Sequence, residues 1–166
     1  MFIVLMYGAL LAVPLWTVAV LVKGISVALP GRRPDWARDL ALWCAAMAAA
    51  AAVIVYSIGL GSVEWDADAA ESGASSSPAE PCRSLSADAL DHLAGHEPSY
   101  FPLGFSCVLD DGSVVAGKGD YPWLNGLAAA FALGAVSLTL GVHLRDELRT
   151  RATAKARPRP APQGRD

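Results

Sequence analysis

LALWCAAMAAAAAVIVYSIGLGSV, Leu40 to Val63, runs for 24 residues without a charged side chain. At about 1.5 Å per residue, a helix of that length reaches roughly 36 Å, enough to cross a hydrocarbon core of about 30 Å with modest tilt. Amides in lipid find no water, so the run must satisfy its own backbone and is expected to be a helix. Two further runs have the same character. Met1 to Val22 has no charged side chain, and Tyr121 to Leu144 has none if His143 is neutral. The chain is 54% hydrophobic and 17% charged, with mean hydropathy +0.37, which excludes an ordinary soluble domain. The fold expected is an all-α membrane architecture. It has three transmembrane helices, at 1–29, 40–63 and 122–144, with a small disulfide-stapled α+β extracytoplasmic insert between the second and third. Pro14 should kink the first helix rather than break it.

The first run does not read as a cleaved signal peptide. Met1-Phe2-Ile3-Val4 supplies no basic n-region, and the apolar stretch is too long for a signal core. Charge then orients the spans. Positions 1–61 hold four Lys/Arg and two acids, 62–121 hold two and eleven, and 122–166 hold seven and three, giving +2, −9 and +4. Placing Lys23, the loop 30–39 and the basic tail 145–166 inside puts eleven of the thirteen basic residues in the cytoplasm. The N-terminus is therefore expected outside and the C-terminus inside. Trp36 and Trp43 fall near the inner face, and Tyr56, Trp65, Tyr121 and Trp123 near the outer, as interfacial belts or as packing between helices.

The acidic stretch 64–81 has few bulky apolar residues after Trp65 and reads as a flexible linker. The extracytoplasmic insert, 82–121, follows it. Cys82 and Cys107 would lie in an oxidising compartment and are expected to pair, leaving Cys44 in the second helix without an evident partner. In the chain-entropy model, closing that loop contributes about 3 kcal/mol. Leu85, Ala89, Leu90 and Leu93 share helical spacing, with Ser84 or Ser86 as cap and Gly95 as stop, so a short helix is expected. Alternation at Phe105, Cys107 and Leu109, then Asp111-Gly112 before Val114 and Val115, predicts a β-hairpin. Phe101, Leu103 and Phe105 are expected to cover the disulfide.

Tyr100-Phe101-Pro102-Leu103-Gly104-Phe105-Ser106-Cys107, followed by Asp111-Gly112 and Trp123-Leu124-Asn125, resembles the Cys-bounded insert of small uncharacterised multi-pass membrane proteins of GC-rich bacteria. Gly126 stands where such proteins often carry Pro. The resemblance implies an outward-facing insert in a bacterial plasma membrane and brings no activity with it.

Candidate chemistry is sparse. Asp88, His92 and His96 are four apart and would share one face of a continuous helix, a partial metal site, but Gly95 and Pro98 should end the helix near Leu93. They read as solvated polar residues. Asp110-Asp111-Gly112 reads as a turn rather than a calcium loop, and Asp91-His92 has no nucleophile at a recognisable elbow. No catalytic, metal or cofactor-binding residue is assigned, and no cofactor. Lys23 and His143 lie near the inner interface, where they can snorkel, so no polar transport path is drawn through them. Association remains. Gly126, Ala130 and Gly134 repeat every four residues, as do Ala41, Ala45 and Ala49, so these faces are expected to pack between helices, with a homo-oligomer possible but not required. The basic tail, expected to continue the third helix by a turn or two, can meet anionic lipid and determines topology; it lacks a nucleic-acid module. The functional expectation is a non-enzymatic interaction or accessory protein whose partners are the lipid bilayer and a membrane or envelope protein. The alternative is a small subunit of an oligomeric transport complex.

Overall fold

The computed structural model describes residues 2–28, 35–72 and 78–156. Three of its helices are long and apolar enough to cross a membrane: α1 (Phe2–Ala28), α2 (Trp36–Ser72) and α4 (Tyr121–Ala156). Between α2 and α4 lie a 3-10 turn (Glu80–Cys82), a five-residue helix α3 (Ala87–Asp91) and the strands β1 (Leu93–Tyr100), β2 (Leu103–Leu109) and β3 (Val114–Ala116). The strands form one antiparallel sheet in the order β1-β2-β3.

Helix α2 is the central element, packing against α1 and α4 and touching the sheet. Two of its glycines make that possible. A Cβ at Gly61 would lie 2.2 Å from Met6 Cβ of α1, and one at Gly59 would lie 2.3 Å from Leu103 Cδ1 of β2. The indole N–H of Trp16 reaches across to the Met47 carbonyl at 3.0 Å, so a polar group inside the apolar runs has a partner. At the basic end, Arg38 of α2 donates to Asp146 of α4 at 2.9 Å. Helix α1 continues through Pro14 without interruption.

Four expectations are corrected. The flexible linker 64–81 begins as helix, because α2 continues through Glu64 to Ser72; residues 73–77 lie outside the described residues. Alanine has the highest helix propensity, and this extension has work for its side chains: Ala67 is buried beside Val63 at the end of the apolar run, and Glu64 accepts a bond from the Ile3 N–H at 2.5 Å, occupying an orphan donor in the first turn of α1. The short helix is confined to Ala87–Asp91, with Ser86 accepting from Ala89 N–H at 3.3 Å, and β1 takes up the segment after it. Gly95 and Pro98 do end the helix, but pairing with β2 recruits them into a strand. An edge position tolerates Pro, and the register shift between Leu93 and Gly95 absorbs the irregularity. Helix α4 continues into the tail 145–166 as expected, but for about three turns rather than one or two, as far as Ala156, helped by an Arg151–Glu147 ion pair one turn apart; Arg157 to Asp166 lie outside the described residues.

The fourth correction concerns packing within the chain. Gly126 and Ala130 are exposed, and a Cβ at Gly126 or Gly134 would meet nothing within 4 Å. Instead Ala135 and Val142 are the buried residues of this span, both 9% exposed. The rotation of α4 is set at its start, where Tyr121 and Asn125 are drawn toward the insert. In α2, Ala45 is buried as expected, whereas Ala49 is exposed on the rim of a groove shared with Ala135 and Thr139.

Gly61→Leu should therefore separate α1 from α2 and cost about 1–3 kcal/mol of overpacking, while Gly126→Leu should be nearly neutral in the monomer. Thermal unfolding of both variants in neutral detergent checks this; equal melting temperatures would contradict the α1–α2 geometry.

Candidate functional site

The insert is built around its disulfide. Cys82 and Cys107 are bonded with Cα atoms 5.9 Å apart, both fully buried, and Cys44 is free. Val63, Ala67, Ala79, Leu103, Phe105 and Tyr121 complete this small core. The core is thus shared between the α2 extension, the 3-10 turn, β2 and the first residue of α4. The Tyr121 hydroxyl donates to the Asp66 carboxylate, tying the start of α4 to that extension. The strand exit is held at its other side: Gly117 N–H donates to Phe105 O at 2.7 Å and Lys118 N–H to Pro81 O at 2.8 Å. Gly117 needs to be small here, since a Cβ would sit 2.9 Å from Pro81 Cβ.

A second attachment joins the insert to the spans. Asn125 Nδ2 donates to the Leu103 carbonyl at 2.8 Å, and Leu103 N–H donates to Asn125 Oδ1 at 3.1 Å. The side-chain amide thereby supplies both backbone bonds that a neighbouring strand would have made. Tyr56 adds a bond from its hydroxyl to the Tyr100 carbonyl at 2.6 Å. Neither Asn125 nor Gly59 was singled out for this role by spacing. The available signal was a lone amide in an otherwise apolar run, a placement that is expensive unless it is partnered.

Leu103 and Phe105 cover the disulfide as expected, each 3% exposed, but Phe101 does not and is 89% exposed. It stands at the β1–β2 turn beside an apolar groove of about 560 Å³ between α2 and α4, lined by Val53, Tyr56, Pro102 and Ala128 among others. Tyr121 belongs to the insert core rather than to an exposed belt, whereas Trp65 and Trp123 are exposed.

The polar candidates separate. Helix α3 ends at Asp91, His92 caps it, and His96 lies in β1 stacked on Phe105 with ring centroids 5.3 Å apart, so Asp88, His92 and His96 do not share a helix face. Among the described residues, no group of three or more His, Cys, Asp or Glu is placed to hold a metal ion. His92 instead bonds Asp110 through Nδ1 at 2.9 Å. That bond and the carboxylate's charge raise the imidazole pKa above its ordinary value, with smaller contributions from Asp91 and Asp111. Asp111-Gly112 is the expected turn: Gly112 takes φ +79°, and Asp111 accepts the Ser113 N–H at 2.8 Å. Bonds from Ser113, side chain first and then backbone, hold the Asp111 carboxyl below its usual range.

Comparison of the chain with protein-family models, with curated proteins and with solved structures returns no match.

Asn125→Leu should leave both Leu103 backbone groups without their partner and weaken docking of the sheet by about 1–3 kcal/mol. Amide exchange at Leu103 should accelerate while exchange within the apolar runs stays slow; unchanged protection at Leu103 would refute the attachment. A second expectation follows from His92. Because its folded pKa is raised, the His92–Asp110 contact stabilises fully below the ordinary histidine value of about 6.5 and is lost as pH rises through the folded value. Imidazole NMR titration should give a pKa that falls toward the ordinary value in Asp110→Asn.

Proposed function

We propose that this is a non-enzymatic integral membrane protein that presents its disulfide-stapled insert outside the plasma membrane to another membrane or envelope protein. The observation that carries this reading is the exposed edge of the sheet. Strand β3 has β2 on one side, and its Val114 and Val115 are 57% and 37% exposed. It pairs with Ser106 to Val108, away from the Leu103 end of β2 that is held to the helices. An apolar edge strand on a rigid base is suited to strand addition by a partner, with main-chain bonds giving affinity and the valines selectivity. The orientation, N-terminus outside and C-terminus inside, is supported by the eleven-to-two partition of basic residues.

A second reading, a subunit of an oligomeric transport complex or a homo-oligomer, has one feature in its favour. The Gly126–Ala130–Gly134 face of α4 is left largely uncovered by the rest of the described chain and could admit a second helix closely.

A photo-crosslinking side chain at Val114 tests the first reading in cells, and the same position as cysteine tests the topology. Val114→Cys should react with an impermeant thiol reagent on intact spheroplasts and Lys155→Cys should not; the reverse pattern would invert the orientation. Crosslinks from Val114 to a single envelope protein, lost in Val115→Lys, are expected. Crosslinks that arise only from Ala130, whether to a transporter or to a second copy, would favour the second reading.

A further inference from the structure

At the end of the bundle opposite the sheet, a cleft of about 270 Å³ opens between the start of α2 and the part of α4 that leaves the apolar run. Its two halves differ in chemistry. Ala41, Leu138 and Gly141 make an apolar floor, and Asp35, Arg38, Arg145, Asp146 and Arg149 make a charged rim. The floor residues belong to the charge-free runs and the rim residues lie just beyond them, so the cleft straddles the level where hydrocarbon gives way to headgroups once the helices span a bilayer.

The rim is not a self-compensated ion-pair network. Arg38 and Asp146 neutralise each other at 2.9 Å. Asp35 lies on the α2 side, its carbonyl accepting the Arg38 and Asp39 N–H groups. Arg145 and Arg149 are one helical turn apart on one face of α4, and neither guanidinium has a hydrogen bond or ion pair among the described residues. Among the described residues that line the cleft, three arginines against two aspartates leave the rim with one positive charge in surplus. That surplus matches a single phosphodiester anion, and a guanidinium pair can hold phosphate oxygens through forked hydrogen bonds.

We propose that this cleft is a binding site for one anionic phospholipid, with its phosphodiester between Arg145 and Arg149 and the start of an acyl chain on the Ala41–Leu138–Gly141 floor. A zwitterionic lipid brings its own ammonium and gains less from the surplus charge. The site is separate from the insert and independent of any partner protein, and it rests on the long helices crossing a bilayer.

The test uses the full chain purified in dodecyl maltoside and titrated with phosphatidylglycerol, phosphatidylcholine or glycerol 3-phosphate, with adducts counted by native mass spectrometry. One saturable phosphatidylglycerol per chain is expected, phosphatidylcholine binding at least about tenfold more weakly, and no displacement by glycerol 3-phosphate. Arg145→Gln with Arg149→Gln should weaken the phosphatidylglycerol adduct roughly thirtyfold, the product of two surface charges. Gly141→Leu fills the floor with every charge intact and should also weaken it, and removal of residues 157–166 should leave it unchanged. A single free thiol before reduction reports that each variant keeps its folded insert. Equal binding of the two lipids, an unaffected arginine double variant, loss caused by tail removal alone, or full competition by glycerol 3-phosphate would each overturn the site. Release of the chain from membranes by alkaline carbonate would instead overturn the spanning reading on which the site rests.

Discussion

The pairing of the Asn125 amide with both backbone groups of Leu103 is the constraint on which the arrangement of the two halves depends. A sheet that ends against apolar helices presents backbone donors and acceptors where water is scarce, and each one left alone would cost about 1–3 kcal/mol. Asparagine answers both at once, because its side chain carries a carbonyl and an N–H group in the geometry of a peptide. The same contact requires close approach, and Gly59 provides it, since any side chain there would occupy the place of Leu103 Cδ1. With the sheet end fixed, the rotation of α4 follows, and with it which of its faces is left without a neighbour.

The disulfide acts at a different level. It closes the loop between Cys82 and Cys107 and reduces the entropy of the unfolded insert by an amount corresponding to about 3 kcal/mol, an appreciable term for a segment with so small a core. It does not attach the insert to the helices. That attachment comes from Val63 and Ala67 of α2, from the Tyr121–Asp66 bond and from Asn125. The extension of α2 beyond its apolar run therefore serves as a wall of the insert, and through Glu64 it also meets the first turn of α1.

Charge divides the molecule in a way that agrees with this division of labour. The insert end carries most of the acids, among them Asp110 and Asp111, which face His92 and the turn, while the other end carries Arg38, Arg145 and Arg149 around an apolar-floored cleft. Aspartates at the two ends have different roles. Asp66 receives a tyrosine hydroxyl beside a buried core, and Asp146 neutralises an arginine from another helix.

The apolar runs were legible from composition alone because a bilayer imposes a length and a polarity that no packing detail can change: 24 uncharged residues centred on an alanine tract make a helix in any apolar surround. The Cys82–Cys107 pair and the Asp111-Gly112 turn were legible for similarly local reasons, the first from two cysteines in one acidic segment and the second from the backbone freedom of glycine. Tertiary structure alone decided that Leu93 to Tyr100 is a strand, since its Gly and Pro argue against one until β2 offers its edge. It alone decided that Glu64 to Ser72 stays helical, because the partners that hold it, Ile3 and the insert core, are distant in sequence. Which small residues pack was likewise undetermined by spacing. Gly126, Ala130 and Gly134 have the periodicity, yet Gly59 and Gly61 have the contacts, because periodicity specifies a face and only the neighbouring chain decides which face is used.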